Sequence, residues 1–279
     1  MAESTTITAS TIKELRERTG LPMMDCKRAL QEANGDQEKA VELLRKAGAK
    51  TMEKRSGRAT SFGRLAVYAG FQEGRGAIVE LRCESAPVAS HDEFVGLAKD
   101  LARQLAGGPG AKTPAELLAQ QSPSKPGMSL QAQFDELTNR VREVFKLERI
   151  ARIDGPCGGY VHHNGAVAVL LEVQGGNPEL AKDICMHVAA LRPSVISQEE
   201  LDPALVAKER EILAEAARHE GKPEKIIDKM VEGRLRNFYA ERCLLDQPYV
   251  KDDSKTVGQV AKEAGMKILR FVHWEIGKE

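Results

Sequence analysis

The sequence lacks the features that mark membrane, secreted and nucleic-acid-binding proteins. No apolar run approaches the roughly 18 residues of a membrane-spanning helix, and the N-terminus has no signal-peptide pattern. The 41 basic residues are matched by 41 acidic ones, so the chain has no basic excess of the kind that nonspecific nucleic-acid binding usually needs. These absences predict a cytoplasmic protein with no membrane partner and no direct nucleic-acid partner.

The residues that could bind a metal or act in catalysis are also few, and their spacing does not match a known type of site. The five cysteines are far apart, and no pair has the spacing of a metal site or a disulfide framework, so free thiols are expected. His162 and His163 are adjacent, and adjacent residues on a strand point to opposite faces. No phosphate-binding glycine loop, nucleophile motif or paired carboxylate site is recognisable. The sequence therefore favours a protein that is not an enzyme, needs no cofactor or metal, and acts through binding surfaces.

What the sequence does contain begins with three short amphipathic helices in residues 1–50. Thr8 can cap the first helix and Asp36 the third, and Gly48 is expected to end the third. The polar, basic stretch 51–63 is typical of a linker, with its charges solvated rather than gathered into a phosphate site. A helical module of this size more often binds a partner than catalyses a reaction.

A strand–turn–strand–helix pattern then occurs twice, which predicts an α+β fold built from two related subdomains. Residues 64–154 form the first copy, and residues 155–200 together with 248–279 form the second. Each copy is expected to hold a three-stranded antiparallel sheet covered by helices, with closing strands at 147–153 and 267–276.

In the first copy, residues 77–84 alternate so that one strand face is predicted to be buried and the other mostly exposed. The following loop is short and uncharged, and Pro87 restricts its backbone. Ser90 and Glu93 have the spacing of a capping box at the start of the next helix. A rigid loop at this junction is well placed to present a surface to a partner.

In each copy a long segment separates the helix from the closing strand. The segment of the first copy begins with a Gly/Pro/Gln-rich, flexible stretch (107–128) that holds one short helix capped by Thr113. The segment of the second copy contains two long helices in 201–247, which predict an antiparallel helical hairpin. Ser254 is expected to cap one further helix before the closing strand.

Four stretches carry a resemblance to a known family. They are IKELRERTGLPMMDCKRALQEANGDQEKAVELLRKAG near the N-terminus, MHVAALRP at 186–193, GKPEKIIDKMVEGRLRNFYAERCLLDQPYVKDDSKTVGQ at 221–259, and FVHWEIG at the end. They resemble bacterial elongation factor Ts, from about residue 8 to residue 277. The resemblance implies a ubiquitin-associated-like module, a core of two subdomains and a protruding coiled-coil hairpin, which is also a candidate homodimer contact.

The same resemblance implies a function and a partner. The family promotes guanine-nucleotide exchange on elongation factor Tu, which it binds in nucleotide-free and GDP forms. Carried over to this chain, the expected GTPase contacts are Lys13, Arg16, Met23 and Met24 in the module, and Met186 with His187 in the second subdomain. From the residues alone, the two N-terminal methionines could instead fill the small bundle, and the two cations could be ordinary surface charge.

The chain departs from the family at the loop after the first buried strand. Family members usually have N-C-E-T-D-F-V-A there, where this chain has R-C-E-S-A-P-V-A. The resemblance assigns the family's Asp-Phe pair to a wedge near the Mg²⁺ site of the GTPase. Here that loop is Ser85, Ala86, Pro87 and Val88, so both the carboxylate and the aromatic ring are missing.

Three interpretations follow. In the first, the protein still releases GDP, through docking geometry and backbone contacts. In the second, it binds the GTPase with weak exchange activity, as a chaperone or assembly partner. In the third, the N-terminal bundle binds a ubiquitin-type partner, an interpretation that the C-terminal motifs disfavour.

Overall fold

The computed structural model describes residues 7–55, 57–221 and 223–278. It confirms the predicted α+β class, with two three-stranded antiparallel sheets and helices around them. No helix in these ranges is long and apolar enough to cross a bilayer.

Three helices form the N-terminal part: α1 (Ala9–Thr19), α2 (Met23–Glu32) and α3 (Gln37–Glu53). The side chains of Thr8 and Asp36 cap α1 and α3 as predicted. The prediction that Gly48 ends α3 is wrong, because the helix runs on to Glu53 and so takes up the start of the expected linker. A Cβ on Gly48 would lie 2.3 Å from the Asn139 side chain, so this glycine allows a close helix approach. Ser56 of that linker lies outside the described residues.

The first sheet has the order β1-β2-β3, with β1 (Phe62–Gly70), β2 (Arg75–Cys83) and β3 (Lys146–Ile153). The helices along this part of the chain are α4 (Ala86–Ala89), α5 (Asp92–Gly107), α6 (Pro114–Leu118) and α7 (Leu130–Val141). Thr113 caps α6 as predicted. The segment around α6 is held against α5, since Gln120 bonds both Gln104 and the Gly110 carbonyl.

The predicted capping box at the start of α5 is wrong. The loop before α5 forms the single helical turn α4. Ser90 closes that turn, because its backbone amide donates to the Pro87 carbonyl. His91 becomes the cap instead, and its Nδ1 accepts the Glu93 amide at 3.3 Å.

The second sheet has the order β4-β5-β8, with β4 (Cys157–Val161), β5 (Val167–Gln174) and β8 (Lys267–Glu275). Its helices are α8 (Pro178–Leu191) and, after the hairpin, α11 (Val257–Glu263). A short ribbon of β6 (Pro248–Tyr249) and β7 (Asp252–Thr256) was not predicted. The prediction that Ser254 caps α11 is wrong, because Ser254 lies within β7. Thr256 is the cap instead and forms a capping box with Gln259.

The predicted helical hairpin consists of α9 (Pro203–His219) and α10 (Glu224–Arg242). Ile227, Val231 and Phe238 of α10 are buried against α9, as predicted, whereas Leu205 and Ile212 of α9 are exposed. Lys222, in the turn between the helices, lies outside the described residues.

The two sheets pack on each other, which corrects the expectation that one face of β2 is mostly exposed. Leu65, Ile78 and Ile153 of the first sheet form a buried cluster with side chains of the second sheet: Cys157, Ala168 and Leu170. Glu80 also lies on this face and is completely buried. Alternation along β2 therefore separates two buried environments, one under α5 and one under the second sheet.

Close packing of the sheets predicts that Gly159 cannot accept a side chain. Its Cβ would lie 2.7 Å from Val67 Cγ1 and 2.8 Å from Ala69 Cβ. Gly159→Ala is therefore expected to lower the free energy of unfolding by about 1–3 kcal/mol, the usual cost of overpacking, measured by urea denaturation. Gly96→Ala is the matched control, since it lies in α5 with no atom within 4 Å of its Cβ. It should raise the free energy of unfolding by up to about 1 kcal/mol. Equal effects of the two substitutions would contradict this account of the sheet interface.

Candidate functional site

The loop after β2 presents an exposed tip. Ala86 and Pro87 are exposed, and Ser85 and Val88 are half-buried on either side of them. Below the tip, Glu84 accepts the Val144 amide at 2.7 Å and Arg58 Nη1 at 3.0 Å. The Val144 N–H, and then Arg58, hold the pKa of the Glu84 carboxyl below its usual value. The tip therefore exposes an uncharged surface, and the Glu84 carboxylate below it is hydrogen-bonded to Val144 and Arg58.

The N-terminal helices expose the two methionines that the resemblance assigns to partner binding. The bundle is filled by other apolar residues, namely Leu15, Cys26, Ala29, Leu30, Ala33, Ala40 and Leu44. Met23 is 49% and Met24 62% exposed, so the interpretation that they fill the bundle is wrong. Lys13 and Arg16 lie on the exposed surface of α1, with Lys13 in a weak pair with Glu17. Two neighbouring apolar side chains exposed next to an exposed helix surface, such as Met23 and Met24 beside α1, are typical of a protein-binding site.

His187 lies in the interior of the second subdomain. Its ring has no exposed surface, with Nε2 2.9 Å from Gln247 Oε1 and Nδ1 accepting the Val250 amide at 3.2 Å. The ring therefore carries its proton on Nε2 and holds the β6–β7 ribbon to α8. The ring is not exposed in this structure, so the expected GTPase contact of His187 stays a prediction, and any influence on a partner would pass through the residues that it holds. Met186, its neighbour in α8, is half-buried.

The structure brings the N-terminal helices close to the tip but places Met186 and His187 elsewhere. Asp25 of α2 pairs with Arg142, and Arg55 donates to the Arg142 carbonyl at 2.6 Å. Arg142 immediately follows α7 and stands two residues before the Val144 amide that Glu84 holds. Met186 and His187 belong to α8, which packs on the second sheet. Sequence reasoning missed this junction, because contacts between residues 60 to 117 positions apart leave no local pattern.

A cleft of about 920 Å³ lies between α3 and α7. Apolar side chains from both helices and from the start of β3 line it, including Leu44, Met52, Phe134 and Phe145. Asp135 also lines it, and burial raises the pKa of its carboxyl. Among residues 7–55, 57–221 and 223–278, no group of three potential metal-binding side chains is present.

The five cysteines are free and buried, as expected for free thiols. Burial raises the pKa of Cys83 to about 11 and that of Cys157 to about 12. At neutral pH these side chains are therefore thiols rather than reactive thiolates.

These features define an α+β scaffold with an exposed methionine pair on α2 and an uncharged, exposed tip after β2. Comparison with known proteins gives the family: the model for elongation factor Ts matches residues 84–278. Elongation factor Ts of Thioalkalivibrio sulfidiphilus is 42% identical over 276 residues, which cover 98% of this chain and 93% of that protein. The corresponding proteins of Methylococcus capsulatus and Clostridium perfringens are 41% and 40% identical, each over 98% of this chain. The chain belongs to the elongation factor Ts family.

Burial of His187 predicts a loss of stability in mild acid. Burial lowers the pKa of its ring in the folded protein, and the bond with Gln247 opposes this only in part. An unfolded histidine titrates near pH 6.5, so the unfolded chain binds a proton below that pH that the folded chain resists. The contribution of His187 is therefore complete above about pH 6.5 and is lost as the pH falls below it.

The measurement is the free energy of unfolding between pH 7.5 and 5.5. His187→Gln should be less stable at pH 7.5 and should show a shallower fall towards pH 5.5 than the unsubstituted protein. His219→Gln, at an exposed position of α9, is the control and should leave the fall unchanged. The half-buried His273 also has a pKa lowered by desolvation, so part of the fall persists in every variant. An unaltered slope in His187→Gln would contradict the assignment.

Proposed function

We propose that the protein is a guanine-nucleotide exchange factor that binds elongation factor Tu and promotes the release of GDP. The observation that supports this most is the match to elongation factor Ts proteins over 98% of the chain. The exposed Met23–Met24 pair and the exposed tip of α4 give it two surfaces with which to hold a partner. Exchange is a change in binding equilibrium rather than a chemical reaction, so no catalytic residue, metal or cofactor of its own is required.

The mechanism follows from thermodynamic linkage. A factor that binds the nucleotide-free GTPase more tightly than the GDP form must weaken GDP binding by the same factor. The proposed contacts are Lys13, Arg16, Met23 and Met24 on the module, with Met186 and His187 on the second subdomain. The buried His187 would act through the residues that it holds. The tip formed by Ser85, Ala86, Pro87 and Val88 would act by occupying space near the nucleotide site, through its backbone and its small side chains.

The wider architecture that the family resemblance implies is also part of the proposal. The three N-terminal helices would form the ubiquitin-associated-like module, and α9 with α10 the coiled-coil hairpin. The exposed Leu205, Ile212 and Ile226 of that hairpin make it a candidate contact in a homodimer. The proposed location is the cytoplasm, where elongation factor Tu is found.

The composition of the tip favours one alternative, a protein that binds elongation factor Tu with weak or altered exchange activity. Ala86 and Pro87 are exposed at the positions where the family usually has an acidic and an aromatic side chain. Such a protein would serve the GTPase as a chaperone or assembly partner and would dock in the same way.

The first test measures the release of a fluorescent GDP analogue from elongation factor Tu. We expect the protein to accelerate release at substoichiometric amounts, because an exchange factor dissociates and acts again. A Met23→Ala, Met24→Ala double variant should need a higher concentration for half-maximal acceleration, since it loses exposed apolar surface at the proposed contact. Leu269→Ala is the control, an exposed apolar residue of β8 that belongs to none of the proposed contacts. No acceleration at saturating concentration would overturn the proposed function.

A second test separates the proposal from its alternative. If the tip acts through its backbone, Ala86→Asp with Pro87→Phe should leave the maximum release rate within about twofold of the original. A rise of about tenfold or more, equivalent to roughly 1.4 kcal/mol of barrier, would show that side-chain chemistry limits the rate and would favour the alternative. Binding of the double variant to elongation factor Tu, measured by calorimetry, controls for a change in docking.

A further inference from the structure

The segment between α7 and β3 lies beside the tip and is bonded to it in both directions. Helix α7 ends at Val141, and Arg142 takes a left-handed backbone conformation with φ 63°. This turn brings Glu143 and Val144 next to the end of β2. Glu143 accepts the Ser85 amide at 3.1 Å and the Ser85 hydroxyl at 2.6 Å. In return Glu84 accepts the Val144 amide at 2.7 Å.

Two carboxylates thus exchange hydrogen bonds between segments some 58 to 60 positions apart. Each accepts a backbone N–H of the opposite segment, and bonds of this kind to a charged group are stronger than neutral ones. We call residues 84–85 and 143–144 the carboxylate clasp. Since backbone amides donate two of its bonds, the clasp fixes the path of the main chain as well as the side chains.

Ser85 shows what the clasp does to the tip. It stands at the N-cap position of α4, where a serine hydroxyl would normally accept a bond from the turn that follows. Here the hydroxyl makes no such bond and donates to Glu143 instead. A single turn of four residues has little stability of its own. Val88 and Ala89 pack α4 on the core, and the carboxylate of Glu143 fixes its N-terminal end through Ser85.

The segment carrying Glu143 is in turn anchored to the N-terminal helices. Asp25 pairs with the Arg142 side chain, and Arg55 bonds the Arg142 carbonyl. Arg140, one turn earlier in the chain, pairs with Glu93 of α5 at 2.6 Å. Glu143 is thus attached to a frame that includes both the proposed docking module and the helix after the tip.

We propose that Glu143 is a positioning residue for nucleotide exchange, which holds α4 through Ser85 in the orientation that reaches the GTPase. This inference rests on the proposed function. The exposed tip residues Ala86 and Pro87 offer neither charge nor aromatic surface, so the tip can act only by where its backbone is placed. A tip that works in this way must be held in place by residues outside it, and the carboxylate of Glu143 holds it through the Ser85 amide and hydroxyl. Docking does not require the clasp, because the exposed methionines lie on another element.

The test uses Glu143→Gln in the GDP-release assay. The substituted amide keeps one acceptor oxygen for the Ser85 amide, but its NH2 group can only donate to the Ser85 hydroxyl, and neither bond is then made to a charged group. We expect the maximum release rate to fall by about tenfold, consistent with the loss of roughly one hydrogen bond to a charged group. The concentration for half-maximal acceleration should stay within about twofold. Glu148→Gln is the matched control, a partly exposed carboxylate of β3 that pairs with Lys146 and makes no bond to the tip.

A second variant and a second readout guard against a simple loss of folding. Ser85→Ala removes only the hydroxyl bond and should lower the maximum rate by a smaller factor, while the Ser85→Ala, Glu143→Gln double variant should be no slower than Glu143→Gln alone. Amide hydrogen exchange at Ala89, Ser90 and His91, which close the α4 turn, should rise in Glu143→Gln but not in Glu148→Gln.

The outcomes separate the inference from the function on which it rests. If the unsubstituted protein does not accelerate GDP release, the proposed function fails and the role of Glu143 in exchange fails with it. If it does accelerate release and Glu143→Gln is equally fast, the inference alone is overturned. Equal falls in rate and apparent affinity, with unchanged hydrogen exchange at the tip, would also overturn it, because they would indicate a general structural role.

Discussion

The buried contact between the two sheets is the constraint on which the rest of the molecule depends. At its edge Glu80, completely buried, accepts bonds from Arg82 and Arg149 at 2.6 Å each. A carboxylate without water must be paired in this way, because an unpaired buried charge costs several kcal/mol. Arg149 also donates to the carbonyls of Glu275 and Lys278 and lies over the Trp274 ring, so one side chain joins the first sheet to the last strand of the second.

This contact determines how firmly the tip is held. Strand β2 is bonded to a neighbour on each edge and covered on both faces, so its C-terminal end is fixed. The tip follows directly from that end, and the carboxylate clasp adds a second attachment two residues further on. A rigid strand, a braced turn and an uncharged surface together suit a loop that acts by steric placement. A loop of this kind is most effective when it is already rigid, because a flexible loop would lose binding free energy on being ordered against the partner.

Several sequence expectations failed because another element, near or distant in the chain, used the residue that carried the local signal. Gly48 is a plausible helix stop by itself, yet Asn139 approaches it and the helix continues. Ser90 and Ser254 both have the composition of caps, but one closes α4 and the other lies in β7, so the true caps are His91 and Thr256. His187 was expected to contact the GTPase, as the family resemblance implied. The unpredicted β6–β7 ribbon folds over it and makes it part of the core.

The sequence by itself determined the features that depend on neighbours a few residues away. These are the α+β class, the caps at Thr8, Asp36 and Thr113, both strand–turn–strand units and both closing strands, since capping and periodicity act within a turn or two of the chain. Its long motifs also indicated the family. The tertiary structure alone decided that both faces of β2 are buried, that the methionine pair is exposed, and that Glu84 and Glu143 clasp across the tip. The second buried face of β2 and the clasp depend on contacts between residues some 60 or more positions apart, and such contacts exist only once the chain has folded and excluded water between them. The methionines are exposed because other residues fill the core of the three-helix bundle.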